Sequence, residues 1–435
     1  MTDVWLPYGR GKLQVDLPAA ARPTVLSAPN ASPIADPDDA VRRCLHEPVG
    51  SPGLPELAAG RKSACIVICD ITRPVPNHLF LAPMIKILLD CGMPRSEITI
   101  LVATGLHRPN LGAELAELIG DPWVLDNVEV VNHDARDVAD LVDLGVTPTR
   151  GTPIHLNRRF VEADLRIVTG LVEPHFMAGW SGGRKVIAPG IAGHQTIRTF
   201  HSHRFMADPL ATQCNLDGNP LHEDQLDIVR AVGEVYALNT VIDDERRLLD
   251  VFFGDVLQSH ADAVTAAART STISAERRFR TVLTSSAGYP LDKTYYQTIK
   301  GMVTPLDILE PGGTLLIASE CSEGLGSPEF VAAQRELIAR GADAFLDHLS
   351  TKQMADIDEW QSQMLLRSQR MVRIQLYSTG LSAEQQKLTG VEVIDDLGQG
   401  ISDSLRRSGD DSLAIIPDGP YLIPRLAPQE HQSHS

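Results

Sequence analysis

No stretch of the 435 residues stays apolar over the roughly 18 positions that a membrane-spanning helix requires, which excludes an ordinary span. Residues 1–14 contain Trp5 and Leu6 but no continuous apolar segment, so no secretory leader is expected. Positive charge is in deficit: 39 Lys and Arg against 56 Asp and Glu give a formal charge of −17. That balance argues against non-specific binding to nucleic acid or anionic lipid, though it leaves room for a local basic pocket. Cysteine is scarce and scattered. Cys44, Cys65, Cys69, Cys91, Cys214 and Cys321 make neither a disulfide framework nor a paired zinc pattern, and free thiols in a reducing cytoplasm are expected. The dinucleotide fingerprint G-x-G-x-x-G is also missing. Gly9-Arg10-Gly11, Gly324-Leu325-Gly326 and Gly398-Gln399-Gly400 begin it, but Gln14, Glu329 and Asp403 stand where the third glycine belongs.

What is present is the pattern of an α/β protein, in which short apolar runs alternate with amphipathic stretches. Hydrophobic residues make up 43% and charged residues 22%, which rules out wholesale disorder, and the length is too great for one core. Strands are expected at 64–69, 97–103, 128–131 and 165–169, with helices at 78–91, 114–119, 221–235 and 261–269. A polar, charged stretch at 271–280 reads as a linker, after which the pattern restarts. Strands follow at 281–284, 313–318, 372–377, 391–394 and 413–416, and helices at 293–302 and 329–339. The chain therefore divides into two α/β domains, 1–275 and 276–435, with segment 412–424 open to returning to the first domain. The tail 428–435 is expected to be polar and loose.

The unusual residues follow strands, and in open α/β sheets ligands bind at the carboxyl ends of strands. Asp70-Ile71-Thr72-Arg73-Pro74 sets a carboxylate, a hydroxyl and a guanidinium on a proline-stiffened turn. Arg73 there suits a carboxylate or a phosphate, although a plain Asp/Thr turn with a surface Arg has the same composition. Ala103-Thr104-Gly105-Leu106-His107-Arg108 places a His two residues after a Gly, and a lone His is more often structural. The densest segment runs from Val172-Glu173-Pro174-His175 through Ser181-Gly182-Gly183-Arg184-Lys185 to His194, His201 and His203. Its glycines suggest a backbone nest for a phosphate, with Arg184 and Lys185 adding charge. Val186 after the lysine excludes a Walker loop. His194 and His201 fall two helical turns apart with no H-E-x-x-H and no Cys pair nearby, so a metal here must draw most of its ligands from elsewhere than the protein. Farther on, Tyr296 and Lys300 are i,i+4 and Gln297 and Lys300 i,i+3, a patch of donors for an anionic, hydroxylated ligand. Asp358-Glu359-Trp360-Gln361 sets a Trp among polar residues, as a core plug or as a wall for an apolar ligand end.

Together these pieces resemble the nickel-dependent lactate racemase (LarA) family: 70–74, 103–108, 173–175 running into 181–185, His201, 296–300 and Trp360-Gln361, in matching order and spacing across both domains. The resemblance implies two α/β domains with the active site in an interdomain cleft. It implies a nickel-pincer nucleotide, Ni(II)-pyridinium-3,5-bisthiocarboxylate mononucleotide, supplied by cofactor-biosynthesis proteins. By the same resemblance His201 is the nickel ligand and Lys185 the residue able to tether the cofactor, while Asp70, Ile71, Thr72 and Arg73 contact it. His107 and His175 become the paired acid/base residues. Arg73, Tyr296, Gln297, Lys300 and Trp360 become substrate-binding groups. The implied activity is racemisation or epimerisation of a 2-hydroxy acid, lactate-like or larger, in the cytoplasm and without nucleic acid or membrane partners. A homologue doing one-way chemistry with the same cofactor, and a non-catalytic binder of the cofactor or of an organic acid, are the alternatives. Two histidines favour the first, because a carrier has no use for paired bases.

Overall fold

The computed structural model of the protein describes residues 4–29 and 31–427. The chain forms two compact units. The N-terminal unit is built from the described residues of 30–201 and 208–270, and the C-terminal unit from those of 1–29, 202–207 and 271–435. The tail 428–435 lies outside the described residues. Among those residues no helix is long and apolar enough to cross a membrane.

The N-terminal unit is organised on a six-stranded sheet in the order Leu248–Asp255, Tyr236–Ile242, Leu165–Leu171, Ala64–Cys69, Ile98–Ala103, Glu129–Asn132. Only the first two strands are antiparallel to each other; every other neighbour is parallel. A parallel sheet carries helices on its faces, so its central strands read as unbroken apolar runs. Ala64–Cys69, sequence ACIVIC, is such a run and its first five residues are buried. Helix Asn77–Asp90 packs Phe80, Leu81, Met84, Ile85 and Leu88 into one core with Ile66, Ile68 and Ile100.

The C-terminal unit repeats the plan with an all-parallel sheet ordered Glu392–Ile394, Arg373–Tyr377, Leu309–Ala318, Phe279–Ser285, Ser412–Ile416, Arg22–Val25. Its core joins Leu283, Leu316, Leu413 and Ile415 to Leu397, Ile401 and Leu405 of helix Leu397–Ser408. Val4, Leu6 and Val15 of the hairpin Val4–Tyr8/Gly11–Val15 complete it.

Both units are the expected α/β class, and the strands and helices fall within a few residues of their expected positions. The partition differs from a single cut near 275, because strand Arg22–Val25 extends the C-terminal sheet beside Ser412–Ile416. Segment 412–424 does not return to the N-terminal unit, since its strand lies between Phe279–Ser285 and Arg22–Val25. Nor is 271–280 a bare linker: Thr272–Ala275 pairs in parallel with Ile423–Leu426. The strand Tyr236–Ile242 was not anticipated, since its buried Asn239 and Thr240 interrupt the apolar run that marks a central strand.

Candidate active site

In the N-terminal unit the chain passes from Ala64–Cys69 to the two strands on one side, then crosses to Leu165–Leu171 on the other. Strand order reverses there, and the loops leaving the two central strands diverge to open a crevice. Register does the rest. Cys69 pairs with Ala103, so Asp70 and Thr104 leave the sheet side by side. The first loop turns back at once, with Arg73 N–H on the Asp70 carbonyl at 3.1 Å and the Thr72 hydroxyl on Asp70 Oδ1 at 2.5 Å. Ile71 N–H donates to Asn110 Oδ1 at 3.2 Å. The second loop closes with His107 N–H on the Thr104 carbonyl at 2.9 Å, which carries the His107 ring over Asp70.

His107 Nδ1 lies 2.6 Å from Asp70 Oδ2; the His side chain is 63% exposed and the Asp side chain 7%. Burial pushes the Asp70 carboxyl up, but hydrogen bonds from His107 and Thr72 and the Arg73 charge outweigh it and hold the group below the usual carboxylate range. An ionised Asp70 requires the proton of His107 to sit on Nδ1, which turns the lone pair of Nε2 outward.

Arg73 forms an ion pair with Glu173, which ties the first loop to the loop after Leu165–Leu171. Glu173 N–H donates to Ser181 Oγ at 3.0 Å. His175 pairs with Gly179 in a two-residue antiparallel ladder and is 9% exposed. Its Nδ1 accepts from the backbone N–H of Ala178 at 3.1 Å and of Met177 at 3.4 Å.

The glycines do not form the expected phosphate nest. Gly182, at φ +79°, lies where a Cβ would stand 2.5 Å from Val172 Cγ2, so glycine is needed there for loop against strand. The N–H of Gly183 is taken by Asn239 Oδ1 at 2.9 Å. Arg184 is 1% exposed and donates to the carbonyls of Ala178 and Trp180, with His260 Nε2 2.9 Å from its guanidinium and equally close to the Ser181 carbonyl, so its charge serves the interior of the loop. Lys185 lies close enough to Cys69 and His201 for its charge to act on both.

His201 follows helix His194–Phe200 as its C-terminal cap residue. Burial pushes its imidazole down to about 4; the Ile197 carbonyl opposes that shift and the Lys185 charge adds to it. Its Nδ1 donates to that carbonyl at 2.8 Å, so the ring is neutral with its lone pair on Nε2. A neutral imidazole with a backbone-fixed Nδ1–H is the form that ligates metals. Among the described residues no three His, Cys, Asp or Glu side chains group as a metal site. The donor set therefore fits a metal that arrives with its other ligands already attached, and does not fit a metal held by protein alone. His194 Nδ1 instead faces the Ala135 carbonyl, and His203 belongs to the other unit.

The remaining candidates lie in the C-terminal unit, on helix Tyr295–Val303, capped by Thr294, and on helix Glu359–Gln369. Trp360 Nε1 donates to the Tyr296 hydroxyl at 3.2 Å and Gln361 Nε2 to the Tyr296 carbonyl at 2.7 Å, which fixes Tyr296 at both ends. Gln297 N–H is held by Thr294 Oγ1, and Lys300 is partly buried. In the sequence Asp358 reads only as a polar neighbour of Trp360. It sits at φ +65°, accepts from Ser327 Oγ at 2.5 Å, and with burial pushes the Tyr296 phenol well up. The Arg73–Glu173 pair escaped the sequence reasoning, since nothing local signals a partner 100 residues away.

The N-terminal unit thus carries an Asp-backed His and an Arg on loops after its central strands, together with a Lys and a neutral ligand-type His. Residues 8–213 match the lactate racemase N-terminal domain and residues 275–423 the lactate racemase C-terminal domain. The chain is 32% identical to lactate racemase of Thermoanaerobacterium thermosaccharolyticum, over 98% of this chain and 100% of that one. It is 31% identical to lactate racemase of Lactiplantibacillus plantarum, over 97% and 100%. The solved structure of the T. thermosaccharolyticum apoprotein superposes with a TM-score of 0.88 at 30% identity, covering 98% of this chain and 100% of that one. A Thermotoga maritima protein shares the fold, with a TM-score of 0.68 at 18% identity over 92% and 100%. The chain belongs to the lactate racemase family and is an isomerase.

Proposed function

We propose that this isomerase interconverts the mirror-image forms of a 2-hydroxy carboxylic acid, lactate or a larger relative, using a nickel-pincer nucleotide. The observation that carries the proposal is the 2.6 Å contact between His107 Nδ1 and Asp70, which leaves a base-competent imidazole at the strand ends beside Arg73. The C2 hydrogen of a 2-hydroxy acid is far too weakly acidic for an imidazole with a pKa near 6.5 to remove as a proton. A bound nickel-pincer nucleotide would supply the alternative, hydride-acceptor chemistry for that hydrogen. The protein then has to move only the hydroxyl proton, which His107 takes on one face and His175 on the other, and the planar 2-oxo acid between them can be reduced from either side. Arg73 and Lys300 neutralise the carboxylate and retain that intermediate. Gln297, Tyr296 and Trp360 complete the substrate contacts.

His201 is the proposed nickel ligand, supported by its neutral ring, and Lys185 the proposed tether, supported by its field at His201. Asp70, Ile71, Thr72 and Arg73 are the proposed cofactor contacts. The six free cysteines support a reducing, cytoplasmic setting.

The test is holoenzyme from cells that also express the cofactor-biosynthesis proteins, incubated with D- and L-2-hydroxy acids in deuterated solvent. The expected product is the opposite enantiomer with its C2 position mostly unlabelled. Wholesale deuterium at C2, or no interconversion across the panel, overturns the proposal.

A further inference from the structure

The two imidazoles proposed for catalysis are not placed symmetrically. His107 faces a carboxylate through Nδ1, at 2.6 Å from Asp70 Oδ2. His175 faces two amide donors through the same atom, the N–H groups of Ala178 at 3.1 Å and Met177 at 3.4 Å. A carboxylate demands a proton on the ring nitrogen opposite it, and an amide N–H demands a lone pair. Turning the His175 ring over would set Cδ2–H against the same amides, so the orientation follows from the donors.

We infer that the protein holds its two acid/base histidines in opposite tautomers, His107 with the proton on Nδ1 and His175 with the proton on Nε2, and that Asp70 is the positioning residue for His107. The inference builds on the proposed function, because it assigns unequal tasks to the pair that function requires. In the resting enzyme His107 presents a lone pair on Nε2 and accepts a substrate hydroxyl proton directly. The resulting imidazolium is stabilised by Asp70, whose carboxylate is already ionised. His175 presents Nε2–H and first meets a hydroxyl oxygen as a hydrogen-bond donor. Before it can take a proton on Nε2, its own must move to Nδ1, against the Ala178 and Met177 amides. Those amides lie in the segment that joins the strands Pro174–His175 and Gly179–Trp180, so that short ladder sets the second histidine's tautomer as Asp70 sets the first's.

The sequence hides this difference. Both residues follow a strand and both stand near glycine, but the partner of His107 lies 37 residues upstream while the partners of His175 are two and three residues downstream.

The experiment is long-range proton–nitrogen correlation NMR on protein labelled with 15N-histidine at neutral pH, with signals assigned by their loss in His107→Gln and His175→Gln. The expected pattern is a protonated Nδ1 and bare Nε2 for His107, and the reverse for His175. In Asp70→Asn, His107 should lose its exclusive Nδ1–H form while His175 keeps its pattern. In holoenzyme the same variant should lose about 10³–10⁴-fold in kcat per nickel-loaded chain, the scale seen when a catalytic His is left in the wrong tautomer. One shared tautomer in the wild-type protein, an unaltered His107 in Asp70→Asn, or an undiminished kcat per nickel-loaded chain in that variant overturns the inference. Inactivity of wild-type holoenzyme toward every 2-hydroxy acid, with the opposite tautomers intact, would instead sink the proposed function and leave the tautomer assignment standing.

Discussion

His201 and His222 are both held neutral by burial. Burial, followed by the charges of Arg184 and Arg230, pushes His222 down to about 3, while an unfolded chain would titrate it near 6.5. Below pH 6.5 the unfolded state therefore binds a proton that the folded state refuses. The stability this residue contributes is complete above 6.5 and is lost progressively as pH falls toward 3. Replacing it as His222→Gln should flatten the acid-side decline by up to one proton, read as the slope of urea-unfolding free energy between pH 6.5 and 4. His201 titrates in the same direction, but its replacement tests function. In His201→Ala the expected loss is of nickel from purified holoenzyme, measured as metal per chain, with the thermal midpoint of the apo form nearly unchanged. His107→Ala and His175→Ala should do the opposite, abolishing racemisation while nickel is retained. Full activity in both would remove them from the mechanism.

Elements bring these residues into position through close approaches that tolerate little change. Gly182 combines positive φ with a Cβ position 2.5 Å from Val172 and 3.0 Å from Asn239 Oδ1. Gly182→Ala should therefore cost about 2 kcal/mol or more from backbone strain and displaced contacts, read as a lowered midpoint of thermal unfolding together with reduced cofactor loading. Most elements were legible in the sequence. The buried strand ACIVIC and the helix stopped by Gly92 and Pro94 announce themselves through apolar runs and stop signals. The glycine segment was legible as unusual, and its purpose was not. Arg184 reads as a cation added to a phosphate nest until the fold buries it beside His260, where the carbonyls of Ala178 and Trp180 take the place of the expected anionic ligand.

For the whole chain, the contribution of the first residues to the C-terminal unit has a direct consequence. Leu6 is fully buried in a core made with Leu283, Leu316 and Ile415, far away in sequence. Leu6→Ala should destabilise the C-terminal unit by about 2–5 kcal/mol, the usual cost of truncating a buried leucine. Calorimetry should show one unfolding transition lowered. An undisturbed thermogram would mean that the hairpin is dispensable. Composition, charge and local periodicity by themselves determined an α/β protein, the positions of most strands and helices, and the placement of the reactive residues just after strands, because burial and turn chemistry are written locally. Tertiary structure alone decided that Asp70 backs His107, that Glu173 engages Arg73, that Arg184 turns inward and that residues 22–25 join a distant sheet. Those outcomes depend on strand order and register, which pair segments about 40 to 390 residues apart and leave no local trace.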